Sequence, residues 1–196
     1  MIVAVLVHGF NVWDGGRATV GKLRPFFADQ KVPYVMVNYG WFGIGRTYLK
    51  NRKVAKSVAR ACVTAKQSGH QVIVVGHSNG CAITHIAAER YGALIDKAVY
   101  INPALDADMP LPQTVRTLDV WHSLDDKPVK YARLLPRHPW GAMGSKGYCG
   151  PADGRITNFD KQHDFEQCSR AHSDVFSTEL LPYFGPVIAG TTLEGL

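Results

Sequence analysis

Gln71-Val72-Ile73-Val74-Val75-Gly76-His77-Ser78-Asn79-Gly80 is an apolar, largely β-branched run that stops abruptly in Gly-X-Ser-X-Gly. Beyond it Cys81, Ala82, Ile83, Ile86, Ala87 and Ala88 recur near helical spacing, with His85, Glu89 and Arg90 between them. The order predicts a buried strand, a sharp turn and a helix. Ser78 falls at the tip of that turn, its hydroxyl lifted out of the sheet beside the free N–H groups of the first helical turn. Gly76 and Gly80 suit a place where strand and helix approach too closely for side chains. Gly-X-Ser-X-Gly alone is a weak signal, and an incidental serine in a glycine-rich turn is the plain alternative. The strand before it and the helix after it remove most chance matches.

Outward from this point the pattern repeats. Residues 2–7 read as a first strand, followed by a turn-rich segment from Gly9 to Gly16 and a helix around residues 18–30. Residues 32–38 make a second strand, and a loop rich in glycine and aromatic residues, Gly40 to Gly45, leads to a helix from about Tyr48 to Gln67. Further strands fall at residues 98–102, 115–121 and 154–160, with a helix at about 128–135 and another opening near Ser173-Asp174. Strands nearly continuous in apolar residues, alternating with helices, argue for a parallel sheet covered on both faces. Sites in such sheets lie beyond the carboxyl ends of the strands.

The chain has 196 residues, 46% of them hydrophobic, enough for one sizeable core, and a single domain over 1–196 is expected. The apolar start Met1 to Val7 has no basic region before it and runs straight into His8-Gly9, so it reads as a strand rather than a signal peptide, and a cytoplasmic location is the expectation. No stretch is long enough to span a membrane. Cys62, Cys81, Cys149 and Cys168 have no metal spacing. The first two fall in helical patterns as buried thiols; Cys149 and Cys168 lie in or near a long loop and could pair. The net charge of +6 is scattered, densest at Arg46, Lys50, Arg52, Lys53 and Lys56. That group reads as a solvated helix face, and no nucleic-acid partner is expected.

A serine displayed on such a turn needs a base, an acid and donors for developing negative charge. The backbone N–H groups of Phe10, in the loop closing the first strand, and of Asn79 could supply the donors. His8 reads as a loop-orienting residue. After the strand at 115–121 stand Asp125 and Asp126, of which only one can point inward; the Asp-X-X-Val spacing to Val129 favours Asp126. Of the later histidines, His172 lies in the loop after the last strand, just before a helical pattern, and is favoured as base over His163; His138 reads as a surface residue. Trp13, Trp41, Phe42 and Trp140, with the Phe10 side chain, are candidate apolar walls for a substrate.

Taken together, Val7-His8-Gly9-Phe10, Gly76 to Gly80, Asp126 with Val129, and His172, in the order Ser, Asp, His, resemble the α/β-hydrolase superfamily over nearly the whole length. The closest look is to small serine esterases and lipases without a cap domain, since Pro103 to Thr114 is too short to hold one. The resemblance implies a three-layer α/β/α sandwich with a mostly parallel six-stranded sheet, a minimal α/β-hydrolase fold whose core begins at the family's third strand. It implies a Ser78–Asp126–His172 triad, an acyl-enzyme on Ser78, and neither cofactor nor metal. The substrate would be a small-molecule or polymeric carboxylic ester, short or medium acyl chains suiting an open, aromatic-rimmed site. A thioesterase or amidase with the same triad, or a non-catalytic binding protein on the fold, are the alternatives. Residues 136–171 form an unusually long path between acid and base, either a lid over the site or a surface loop.

Overall fold

The computed structural model describes residues 1–196 except 11, 42, 44, 45, 133–139 and 194–196, and only the backbone of 132 and 191–193. Six strands form one sheet: β1 (Ile2–Val7), β2 (Tyr34–Val37), β3 (Gln71–His77), β4 (Ile95–Ile101), β5 (Val115–His122) and β6 (Ile156–Asp160). Their order is β2-β1-β3-β4-β5-β6, and every neighbouring pair is parallel. Among the described residues six α-helices accompany them: α1 (Arg24–Asp29), α2 (Thr47–Gln67), α3 (Asn79–Tyr91), α4 (Lys127–Ala132), α5 (Met143–Lys146) and α6 (Leu181–Leu193).

The period of two along each strand divides the core into two layers. Val5 and Val7 of β1, Val72 and Val74 of β3, and Ala98 and Tyr100 of β4 face α2 and α3, packing with Val54, Val58, Cys62, Cys81 and Ile83. The intervening residues, Ala4, Leu6, Ile73, Val75, Val99 and Ile101, face the other way, onto Phe27 of α1 and Phe184 and Ile188 of α6. Both faces are therefore dry, which is why these strands read as unbroken apolar runs.

The starts of two helical segments differ from the sequence-based expectation. The stretch expected as a helix over residues 18–30 begins as a 3-10 turn, Val20–Leu23, before α1, and Pro25 sits at the start of α1, where its missing N–H costs nothing. The helix expected to open at Ser173-Asp174 is only a 3-10 turn, Asp174–Phe176; the chain becomes extended at Ser177 and α6 starts at Leu181. Cys149 and Cys168 are exposed free thiols, while Cys62 and Cys81 are buried.

A buried ion pair joins β4 to β5. Lys97 of β4 and Asp119 of β5 are each 6% exposed, with Nζ 3.0 Å from Oδ2. Removing one partner leaves a buried charge behind. Lys97→Met is therefore expected to destabilise the protein by about 3–5 kcal/mol, read from the urea midpoint.

Candidate active site

The sheet is all parallel, so its strands end on a common edge, and there the candidate residues collect. Ser78 joins β3 to α3 with φ +55° and ψ −121°, a backbone conformation that side chains rarely adopt. The turn is held by its neighbours: the Ser78 N–H donates to the Ile101 carbonyl at the end of β4 (3.0 Å), and Ser78 O accepts from Cys81 N–H (3.1 Å) and Ala104 N–H (3.3 Å). A Cβ at Gly80 would collide with the Val7 carbonyl oxygen, and one at Gly9 would come within 3.2 Å of Ser78 Cβ. These two glycines let the loop after β1 lie directly against the turn.

Asn79 carries the first N–H of α3, which has no acceptor inside the helix. Its side chain is buried and fully engaged. Asn79 Oδ1 accepts from Asn51 Nδ2 and from Trp140 Nε1, both at 2.8 Å, and Asn79 Nδ2 donates to Asn51 Oδ1 at 3.0 Å. The Trp140 ring meets Phe10 edge-on at 5.0 Å. The long path between Asp126 and His172 therefore presses at least one residue against the turn. It is also laced to the sheet edge: Met143 and Gly144 N–H donate to the Leu105 and Pro103 carbonyls (both 2.8 Å). His8 is buried, stacked on Tyr39 at 3.9 Å, with Nδ1 2.8 Å from the Gly9 carbonyl, a loop-orienting position.

Asp125 is exposed, whereas Asp126 is completely buried. Asp126 sits at the N-terminus of α4, where Oδ1 accepts the Val129 N–H (3.1 Å), an N-cap arrangement that the Asp-X-X-Val spacing encodes. Oδ2 accepts from Asn102 Nδ2 (2.7 Å). Asn102, at φ +46°, directly follows β4 and was not singled out from the sequence. His172 Nδ1 lies 2.9 Å from both carboxylate oxygens of Asp126. His163 is exposed in the turn after β6. His138 and Phe42 lie outside the described residues. Trp13 and Trp41 stack on each other at 5.2 Å and are 80% and 51% exposed.

With Asp126 accepting at Nδ1, a neutral His172 keeps its proton there and leaves Nε2 as an acceptor. The loop bearing it is tied to the turn as well, because His77 Nε2 donates to the His172 carbonyl (3.1 Å). Burial, and then the neighbouring His172, hold the His77 pKa well below 6.5. His77 is thus neutral, with its proton on Nε2. A family model of alpha/beta hydrolases matches residues 4–189.

The chain belongs to the alpha/beta hydrolase family.

No curated protein matches it in sequence. Among solved structures, it is similar to an esterase from Pyrococcus furiosus (TM-score 0.63, 10% identity, 98% of this chain and 81% of the other). It is also similar to a monoacylglycerol lipase from Paleococcus ferrophilus (TM-score 0.59, 14% identity, 97% and 93%). An extracellular alpha/beta-hydrolase from a Paenibacillus species has a TM-score of 0.56 at 12% identity over 99% and 98%. At these identities the likeness is one of fold. Among the described residues, no helix of this alpha/beta hydrolase is long and apolar enough to cross a membrane.

Among the described residues His77 is one of four buried histidines, with His8, His85 and His122, whose pKa values burial lowers. Below pH 6.5 the unfolded chain takes up protons that the folded hydrolase refuses, so stability falls as pH falls. Each proton so refused costs up to about 1.4 kcal/mol per pH unit. The urea midpoint is expected to drop steadily from pH 6.5 to pH 5.

Proposed function

We propose that the protein is a serine hydrolase that cleaves carboxylic esters through an acyl-enzyme on Ser78. The observation that carries this is the His172 imidazole, bonded at Nδ1 to a buried carboxylate while its own carbonyl is held by the residue before Ser78. Asp126 fixes the imidazole tautomer and stabilises the imidazolium; His172 Nε2 takes the Ser78 proton and returns it to the leaving alcohol. A water activated by the same nitrogen then releases the acid. The Phe10 and Asn79 N–H groups receive the tetrahedral oxyanion, and the Asn51–Asn79–Trp140 bonds keep Asn79 from shifting as charge develops. No cofactor enters these steps.

Trp13 and Trp41 form an apolar rim for the substrate in this reading, together with Trp140. An open, aromatic-rimmed site suits short or medium acyl chains. A series of p-nitrophenyl esters tests this, with highest kcat/KM expected at about four to eight carbons. Strict preference for long, micellar chains would overturn the acyl-chain reading. Turnover of a matched thioester or amide with no ester turnover would overturn the ester assignment.

A further inference from the structure

Three consecutive carbonyls in the loop bearing His172 are each held by a different element. Ser123 Oγ, at the end of β5, donates to Arg170 O (2.7 Å); Lys161 Nζ, just after β6, donates to Ala171 O (3.2 Å); His77 Nε2 donates to His172 O (3.1 Å). The amides of the same loop turn toward Asp174, whose carboxylate accepts from Arg170 N–H (2.7 Å), Ala171 N–H (2.8 Å) and Ser169 Oγ (2.6 Å). The loop is thus fixed against the strands that carry the acid and the nucleophile.

We propose that Lys161 is a positioning residue for His172, its buried ammonium setting the loop at the height that keeps the imidazole on Asp126. The proposal rests on the triad reading above. Lys161 is 0% exposed; its Nζ also donates to Ser169 Oγ (3.1 Å) and lies 3.8 Å from Asp174 Oδ1. Burial pulls its pKa down to about 8, against the opposing pull of Asp174, Asp126 and Asp160. An ammonium in such a place is a costly way to fill space, and an unbranched apolar side chain of similar length would fill it more cheaply. Methionine, however, donates nothing to the Ala171 carbonyl. Asp174 would keep three other donors, so the loss of Lys161 leaves it satisfied. Stability and activity are therefore expected to part in the Lys161→Met variant.

The test compares wild type, Lys161→Met, Lys161→Ala and Ser169→Ala by ester kinetics, fluorophosphonate labelling rate and thermal unfolding, with Ser78→Ala as control. Lys161→Met is expected to lose about 10–100-fold in kcat and in labelling rate, with KM within about twofold and a cooperative unfolding transition. Ethylammonium is expected to restore part of the rate to Lys161→Ala and none to Lys161→Met. If the Lys161 variants do not fold, Ser169→Ala, which removes one anchor of the same amine, carries the test with a several-fold loss of kcat. Wild-type rates in Lys161→Met, or in Ser169→Ala where the lysine variants fail, would overturn the proposal while leaving the triad standing. A wild type that does not react with the fluorophosphonate at all would sink both.

Discussion

Ser78→Ala is expected to abolish fluorophosphonate labelling and to lower kcat for a p-nitrophenyl ester by about five to six orders of magnitude. Nothing else in the turn can replace the missing oxygen. Asn79, the next side chain, is buried and bonded to Asn51 and Trp140. The substitution removes one atom at a position whose backbone is fixed by the Ile101 carbonyl and by Ala104 N–H, so the fold is expected to persist. Stability is expected to change by less than about 1 kcal/mol, so the urea midpoint separates loss of chemistry from loss of structure. Labelling of Ser78→Ala equal to that of wild type would end the serine-hydrolase reading.

The second large effect is expected at Asp126. Asp126→Asn keeps the size of the side chain but places an amide where His172 Nδ1–H needs an acceptor. Either the imidazole takes the other tautomer, leaving Nε2 protonated and useless as a base, or it turns away. The expected loss in kcat is about 10⁴-fold. The change also disturbs the two other donors on this carboxylate, Asn102 Nδ2 and Val129 N–H, of which only one can be satisfied by the new carbonyl oxygen. A stability cost of about 1–3 kcal/mol should accompany the catalytic one. Asp125→Asn, one residue away and exposed, is expected to change kcat by less than about twofold. Equal losses at both positions would remove the basis for assigning the acid.

The sheet was legible because its strands are buried on both faces: a run such as Val72 to Val75 allows little else between two turns. The helix starts were harder. Asp174 carries the signature of a helix cap, yet its carboxylate faces backward to the amides of Arg170 and Ala171, and the helix waits until Leu181. A short polar side chain can serve either direction, and local spacing does not distinguish them. In the candidate site, residues in motifs of short span stood out: Ser78 between its glycines, and Asp126 three before Val129. The supports did not. Asn102, Ser123 and Lys161 meet partners 24, 47 and 10 residues away through the sheet's topology, and no local pattern marks a lone lysine after a strand. His77 came into view only as the second residue of the motif, its bond to the His172 carbonyl spanning 95 positions.

His172 stands late in the chain. It comes after all six strands, and the helix that follows it brings Phe184 and Ile188 onto the sheet face left open by α1. A chain growing from its N-terminus can therefore pair β1 through β5 and bury the α2–α3 layer before the proposed base, His172, is in place. The segment that delivers His172 is continuous with the one that seals the second layer. Hydrolysis would then report on completed folding rather than on sheet formation, and in a refolding experiment activity should return with the slowest phase.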